Sequence, residues 1–262
     1  MNELSLFTGA GGGLLGTHLL GWKAIGYVEW NEYCQRVVRA RIDDGILPIA
    51  PIFTDVREFV QSGAAREYRG FADVVTAGFP CQPFSVAGKQ LGANDERNMW
   101  PATIDVIRAV QPAAVFLENV PPLISGGYIV TVVTDLQAAG YQVLPPLRLS
   151  ASDVGANHER ERVWIVAHTQ QNRRQRILCS DEKRGGKTNY HPKEKAQNSL
   201  DAVFDTLSRL EKGLGEPSIF RENDGVAHRV DRLAAIGNGQ VPAVAAAAWR
   251  LLTDSFHTTG NL

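Results

Sequence analysis

The sequence predicts an α/β fold built on a doubly wound, mostly parallel β-sheet. Short apolar runs alternate with helical periodicity, and a glycine cluster separates the first strand from the first helix. A length of 262 residues suits one large α/β domain, or one and a half domains. Hydrophobic residues make up 44% and charged residues 21% of the chain, which excludes disordered and fibrous proteins.

The predicted elements follow one another in strand and helix order. Leu4–Phe7 is a short apolar run, the glycine-rich segment Thr8–Gly13 follows it, and four leucines then recur at helical spacing. Further along, the patterns predict strand Ala24–Trp30, helix Tyr33–Ile42, strand Asp73–Ala77, helix Met99–Val110, strand Ala113–Leu117 and strand Val163–Ala167. This alternation is typical of a parallel sheet with helices on both faces.

The amino-acid composition becomes more polar after the last of these strands. We expect a catalytic and cofactor-binding domain over 1–167, a short polar insert over 168–225, and a C-terminal segment over 226–262. Pro242 stands at the start of an alanine-rich helix in that last segment, which we expect to pack back on the sheet. Residues 170–200 contain eight Lys or Arg against three Asp or Glu, and composition alone leaves a solvated loop as an alternative to a nucleic-acid contact.

Cysteine usage and hydropathy exclude several classes of protein. The three cysteines are widely spaced and lack ligand spacing, so neither a disulfide framework nor a metal site is expected. No apolar stretch reaches the roughly 18–20 residues that span a bilayer, and no charged signal region precedes the first strand. These features predict a cytoplasmic protein.

The glycine cluster suits a cofactor at the carboxyl end of the sheet. Phe7, Gly9 and Gly11 follow the first strand, where glycine lets the backbone approach a ligand closely. Glu29 ends the second strand, a position from which a carboxylate accepts hydrogen bonds from ribose hydroxyls. The dinucleotide fingerprint and the Walker lysine are both missing, which favours an adenosine cofactor without a pyrophosphate.

Cys81 is the candidate nucleophile. It lies in Gly78–Ser85, just beyond the predicted strand Asp73–Ala77 and between two prolines. A buried, inert cysteine is the ordinary alternative, but the rigid loop and the position at the sheet edge favour a reactive thiol.

Two charged groups accompany this cysteine. Glu118 ends a strand and is either a helix cap or an acid at the same edge. Arg160 and Arg162 belong to an alternating charge run that is either an exposed ion-pair ladder or a set of planar donors facing the cleft.

Together these segments resemble the cytosine-C5 DNA methyltransferase family, of the bacterial or phage type found in restriction–modification systems. Seven motifs match in order and spacing: Leu6–Gly12, Glu29–Trp30, Asp55–Val56, Gly78–Ser85, Glu118–Val120, Arg160–Val163 and Gly237–Pro242. The chain departs from the family at Ser5, where Asp is common, and at His158, where Gln is common. Neither position is the nucleophile or the acid.

The resemblance implies a Rossmann-like methyltransferase fold, S-adenosylmethionine as cofactor, and methylation of carbon 5 of a cytosine flipped out of double-stranded DNA. It implies that Cys81 adds to carbon 6 and that Glu118 protonates or contacts the ring nitrogen, with Asn119 positioning this carboxylate. Arg160 would contact the base carbonyl oxygen, and Arg162 would support the loop or bind a phosphate. The implied cofactor contacts are Phe7, Thr8, Gly9, Gly11, Gly12, Glu29, Trp30, Asp55, Val56, Pro80 and Asn238.

For DNA, the resemblance implies contacts from the loop after the nucleophile and from the insert as target-recognition region. The residues are Ser85, Gln90 and Arg97 in the loop, and Arg173, Arg174 and Arg176 in the insert. A monomer is expected, since flipping one base requires one active site. The recognition sequence cannot be read from side-chain type alone.

Three other functions are less compatible with the sequence. A cytosine-5 methylase acting on RNA is disfavoured because the Cys-Phe-Thr signature of that branch is missing. An inactive cofactor-binding or DNA-binding module is disfavoured by the joint presence of Cys81, Glu118 and Arg160. A Rossmann oxidoreductase lacks the required pyrophosphate fingerprint.

Overall fold

A computed structural model of the protein describes residues 1–80, 98–169, 231, 235 and 237–254. These residues form an eight-stranded sheet in the order β3-β2-β1-β4-β5-β8-β6, with β7 pairing β8 away from this path. The strands are β1 (Asn2–Leu6), β2 (Lys23–Val28), β3 (Ile52–Phe53), β4 (Val74–Ala77), β5 (Ala114–Asn119), β6 (Tyr141–Val143), β7 (Leu147–Leu149) and β8 (Arg162–Thr169). The pairs among β1 to β5 are parallel, and β8 is antiparallel to β5, β6 and β7. The predicted mostly parallel, doubly wound sheet is confirmed.

Helices cover both faces of this sheet. In the part of the chain that the structure describes they are α1 (Gly12–Leu19), α2 (Glu32–Asp43), α3 (Val56–Gln61), α4 (Ala64–Glu67), α5 (Trp100–Val110), α6 (Pro122–Ser125), α7 (Ile129–Ala138) and α8 (Pro242–Asp254), with a 3-10 turn at Ser152–Val154. The side chain of Asn31 caps α2 by accepting a hydrogen bond from the Cys34 N–H at 3.1 Å.

Alternate residues of each strand face opposite helix layers. Leu4 and Leu6 belong to a large apolar cluster with residues of α3, α5 and α7, and we call this side the α5/α7 face. Phe116 and Trp164 pack instead with residues of α8, and we call this side the α1/α8 face. Since Glu3 alternates with Leu4 and Leu6, it lies on the α1/α8 face, where Thr17 of α1 contacts it.

The C-terminal helix packs tightly on the first helix. The run Ala243–Ala248 is buried, and α8 contacts both α1 and the sheet. At Gly16 of α1, an added Cβ would come within 2.7 Å of the Ala245 Cβ and the Pro242 carbonyl oxygen, so the two helices touch through small residues. This packing brings Gly237–Pro242 to the carboxyl edge of the parallel strands.

Several residues singled out by the sequence lie outside the described part of the chain: Cys81, Ser85, Gln90, Arg97, Arg173, Arg174 and Arg176. None of the helices that the structure describes is long and apolar enough to cross a membrane. Over the same residues, no three His, Cys, Asp or Glu side chains are grouped so as to hold a metal ion.

Candidate active site

The candidate site lies at the carboxyl ends of β1 and β4. The strand order reverses here, because β1 pairs with β2 on one side and with β4 on the other. Open α/β sheets bind their ligands in the crevice outside the strand ends at such a switch point. The loops Phe7–Gly11 and Gly78–Pro80 follow these two strands and therefore flank the crevice.

The loop after β1 has a backbone that favours glycine. Gly9 has φ 57° and Gly11, which precedes α1, has φ 93°, both in the left-handed region. Phe7 adopts φ 51°, which a residue other than glycine rarely does, and such local strain is concentrated at functional sites. Among the residues that the structure describes, a Cβ at Gly9 would meet nothing within 4 Å, so they leave space in which a ligand can approach this turn.

Glu29 is fixed beside this turn. The residue directly follows β2 and is buried, and its Oε2 accepts the Gly9 N–H at 2.6 Å while its Oε1 accepts the Asn31 N–H at 2.7 Å. Each carboxylate oxygen keeps a lone pair for a further donor. The neighbouring Trp30 is 74% exposed, so an apolar ring stands next to an immobilised carboxylate. This pair fits the ribose hydroxyls and the purine of an adenosine cofactor.

The other expected cofactor residues have mixed surroundings. Asp55 follows β3 and caps α3, its Oδ1 accepting the Arg57 N–H at 2.7 Å. Val56 is buried in the apolar cluster of the α5/α7 face, and Thr8 is buried with its hydroxyl donating to the Ser5 carbonyl oxygen at 3.2 Å. Gly11 is also buried, whereas Gly12 is half-buried, and Pro80 and Asn238 are exposed.

Glu118 is a buried carboxylate with two side-chain partners among the described residues. Its Oε1 pairs with Arg162 Nε at 2.9 Å, and its Oε2 accepts a hydrogen bond from Gln240 Nε2 at 3.3 Å. Burial raises the pKa of Glu118 above its ordinary value, and Arg162, Gln240 and Arg160 oppose this shift. A carboxyl group with a raised pKa is suited to donate a proton at neutral pH.

Asn119 has a different contact from the one we expected. Its Nδ2 donates to the Phe79 carbonyl oxygen at 2.9 Å, and its Oδ1 accepts the Val120 N–H at 2.9 Å. Both ends of the amide are thus used away from Glu118, because the two side chains project to opposite faces of β5. Asn119 thus holds the backbone of the segment that leads into Cys81. The expectation that it positions the Glu118 carboxylate is wrong, because none of these hydrogen bonds is with Glu118.

The two arginines make different contacts in the structure. Arg162 is the one next to the acid, whereas Arg160 Nη2 donates to the carbonyl oxygens of Gly237, at 2.7 Å, and Gly239. Arg160 therefore supports the segment before α8. The antiparallel pairing of β5 with β8 explains this, since it puts Glu118 opposite Trp164 and so brings Arg162 alongside.

Sequence reasoning missed two residues of the site, Gln240 and Glu3. Gln240 lies inside the motif Gly237–Pro242, but no function was predicted for it. The glycines at positions 12, 13 and 78, which leave space for this residue, were the sequence feature that could have indicated this. Glu3 is fully buried and accepts hydrogen bonds from Thr17 Oγ1 at 2.5 Å and Thr76 Oγ1 at 2.7 Å. Burial raises its pKa to about 7, against the effect of these hydroxyls.

A small polar cavity connects these groups on the α1/α8 face. It measures about 50 Å³, and its lining includes Glu3, Ser5, Thr76, Glu118 and Gln240. Trp164 also lines it, and the buried Nε1 of this indole has no hydrogen-bond partner among the described residues. A cavity of this size has room for a few water molecules.

Known proteins share the fold and the sequence motifs of this chain. The solved S. pombe Dnmt2 methyltransferase matches with a TM-score of 0.62 and 14% identity, covering 98% of this chain and 99% of that one. The fold is thus the Rossmann-like fold of methyltransferases. The model of the C-5 cytosine-specific DNA methylase family matches residues 1–223, and the chain belongs to this family.

Two curated relatives are similar over the first part of the chain. Type II methyltransferase M.HpaII of Haemophilus parainfluenzae is 35% identical over 169 residues, which are 62% of this chain and 44% of that protein. Type II methyltransferase M.HaeII of Haemophilus aegyptius is 35% identical over 167 residues, which are 62% of this chain and 49% of that protein. The chain thus covers about half the length of the curated relatives it matches.

Proposed function

We propose that the protein is a DNA (cytosine-5)-methyltransferase that uses S-adenosylmethionine and acts through a covalent Cys81 adduct. The observation that carries the proposal is the geometry around Glu118. A buried carboxyl group with a raised pKa is paired with Arg162 on β8, and it lies beside the segment that Asn119 fixes just before Cys81. Membership of the cytosine-specific methylase family supports the same chemistry.

The cofactor residues are those of the β1 and β2 ends. Glu29 would hold the ribose, Trp30 would stack on the adenine, and the backbone of Phe7–Gly11 would approach the methionine part. Asp55, Val56, Pro80 and Asn238 complete the proposed contacts, with Asp55 first of all a cap of α3. When bound, S-adenosylmethionine supplies the methyl group that carbon 5 takes up.

The chain's own residues activate the base. Carbon 5 of cytosine is a poor nucleophile until a group adds at carbon 6, so the Cys81 thiolate forms a bond to carbon 6 and the ring electrons move toward the ring nitrogen. Glu118 gives its proton to this nitrogen, which neutralises the developing charge and leaves carbon 5 enamine-like. After methylation a base removes the proton from carbon 5, the carbon–sulfur bond breaks, and Glu118 regains its proton.

The arginine roles follow the contacts. Arg162, next to Glu118, is the residue that we propose for the base carbonyl oxygen, since its guanidinium keeps donors beyond the one that pairs with the acid. Arg160 holds the segment Gly237–Gly239. The base must leave the duplex to reach this site, at a cost of a few kcal/mol.

DNA binding is assigned to segments outside the described residues. We propose that Ser85, Gln90 and Arg97 contact the flipped nucleotide, and that Arg173, Arg174 and Arg176 contact phosphates or base edges from the insert 168–225. The protein is proposed to act as a monomer.

The deciding experiment is transfer of labelled methyl from S-adenosylmethionine to unmethylated duplex DNA, with transfer RNA as the competing acceptor. Cys81→Ala is expected to lower the rate by at least about 10³-fold. Cys34→Ala is the matched control, because burial, with smaller effects of Glu29 and Asp231, raises the pKa of the Cys34 thiol to about 11 and keeps it protonated. Label on RNA alone, or equal label with Cys81→Ala, would reject the proposal.

A further inference from the structure

Gln240 occupies the junction between the cofactor loop, the β4 loop and the buried acid. Ideal Cβ atoms at Gly12, Gly13 and Gly78 would each come within 3.0 Å of an atom of Gln240. Gly12 meets its backbone carbonyl, Gly13 its side-chain oxygen, and Gly78 its Nε2. Two backbone segments that are distant in sequence, Gly12–Gly13 and Gly78, thus carry no side chains where Gln240 lies.

Gln240 is held from both sides along the chain. Upstream, Arg160 binds the carbonyl oxygens of Gly237 and Gly239, and downstream Pro242 begins α8, which packs on α1. The backbone of Gln240 therefore has little freedom. Its side chain is directed at Glu118, with Nε2 3.3 Å from Oε2.

We propose that Gln240 is a positioning residue for methyl transfer, which holds Oε2 of Glu118 while Arg162 holds Oε1. This inference rests on the proposed function. It goes beyond that proposal because it assigns to a neutral amide a task that neither arginine performs.

The chemistry of the amide explains why glutamine suits this place. A proton donor must be accommodated both with and without its proton, and a further cation in place of Gln240 would stabilise only the ionised form. An amide donates an N–H to the carboxylate and, once rotated, accepts an O–H from the carboxylic acid. Gln240 serves both states without adding charge.

Within the described part of the chain, the charged groups that face Glu118 are Arg162 and Arg160, and Glu3 lines the same cavity. Against this background, Gln240→Met keeps the bulk and removes the donor, whereas Gln240→Glu adds a like charge. Both changes are expected to raise the pKa of Glu118, by about one unit for Gln240→Glu and by less for Gln240→Met.

The test combines a carboxyl ¹³C titration of Glu118, assigned with Glu118→Gln, with steady-state kinetics. We expect the Glu118 midpoint to rise in both variants, kcat to fall about tenfold in Gln240→Met, and the alkaline limb of its pH profile to move upward. The KM for cofactor should change less than kcat. Gln137→Met on the exposed side of α7 is the matched control and should behave as the native protein.

Two outcomes would overturn this role for Gln240. One is an unchanged Glu118 midpoint in both variants. The other is a fall in kcat with an unchanged pH profile and a lowered Tm, which would show that Gln240 only fills space and stabilises the fold. If native protein methylates no DNA, the proposed function fails by itself, and the titration still decides whether Gln240 holds Glu118.

Discussion

The two faces of the sheet differ in the residues that β1, β4, β5 and β8 present to them. Toward α5 and α7 the strands present buried apolar side chains: Leu4, Leu6, Val75, Ala77, Val115, Leu117, Val163, Ile165 and Ala167. Toward α1 and α8 the same strands present a line of polar groups: Glu3, Ser5, Thr76, Glu118 and Arg162. Alternation along a strand thus lets one sheet carry an uninterrupted core on one face and a reactive cleft on the other.

The polar line contains two buried carboxyl groups in contrasting settings. Glu118 at the strand ends has an arginine and an amide as partners, whereas Glu3 in the middle of the sheet has two threonine hydroxyls. Hydroxyl groups stabilise an ionised carboxylate less than a guanidinium does. At the strand ends, Glu118 therefore has a charged partner, whereas Glu3, deeper in the cleft, is neutral at mildly acidic pH.

The largest effect is expected from Glu118→Gln on the α1/α8 face. Loss of the proton donor should lower methyl transfer by about 10² to 10⁴-fold at saturating cofactor. Single-turnover assays on folded protein measure this, with the exposed Glu58→Gln of α3 as control. A variant that retains a tenth of the native rate would contradict the role of this carboxyl group.

The next effect concerns the α5/α7 face and should appear in stability instead of chemistry. Leu136→Ala empties a fully buried position on α7 and should lower the free energy of unfolding by about 2–5 kcal/mol. Urea denaturation gives this value, and Val130→Ala on the same helix, 66% exposed in the native protein, should stay within about 0.5 kcal/mol. Below its Tm, Leu136→Ala should methylate at the native rate. A specific loss of kcat would break the separation of the two faces.

A smaller effect is a pH dependence of stability from Glu3. The pKa of this group is about 7 in the folded protein, above its ordinary value of 4.5, so the folded protein keeps the proton that the unfolded chain loses. The contribution of Glu3 to the free energy of unfolding is thus fully present below pH 4.5. It is lost as the pH rises to about 7, which lowers the free energy of unfolding by about 3 kcal/mol.

Glu3→Gln should abolish this component of the pH dependence, because glutamine does not titrate. Urea denaturation at a series of pH values compares it with native protein and with Glu67→Gln, an exposed position on α4. If the stability of native protein does not fall between pH 4.5 and 7, Glu3 has polar partners beyond the two threonines.

Much of the fold could be predicted, because the longer strands and helices have sequence patterns that extend over several residues. The predicted strand Asp73–Ala77 and helix Tyr33–Ile42 agree with β4 and α2 to within one residue at each end, since an apolar run and a 3.6-residue period stand out in sequence. Short elements were missed, such as β3 with two residues. Helix α7 was also missed, because its valines and threonines favour strands, whereas in the folded protein its buried residues Val132 and Leu136 pack in the apolar cluster of the α5/α7 face.

For the site, the amino-acid sequence was enough to locate the residues at the carboxyl ends of strands. Glu29 and Glu118 could be placed there because they directly follow, or end, apolar runs whose strands are parallel. The contacts of these residues depend on how distant segments pack together. Arg160 and Arg162 are two residues apart and equivalent by type, and only the antiparallel register of β8 gives Arg162 to Glu118. Gln240 reaches the same carboxylate from 122 residues away, because α8 packs on a glycine of α1, and no local pattern encodes a contact made by two folded segments.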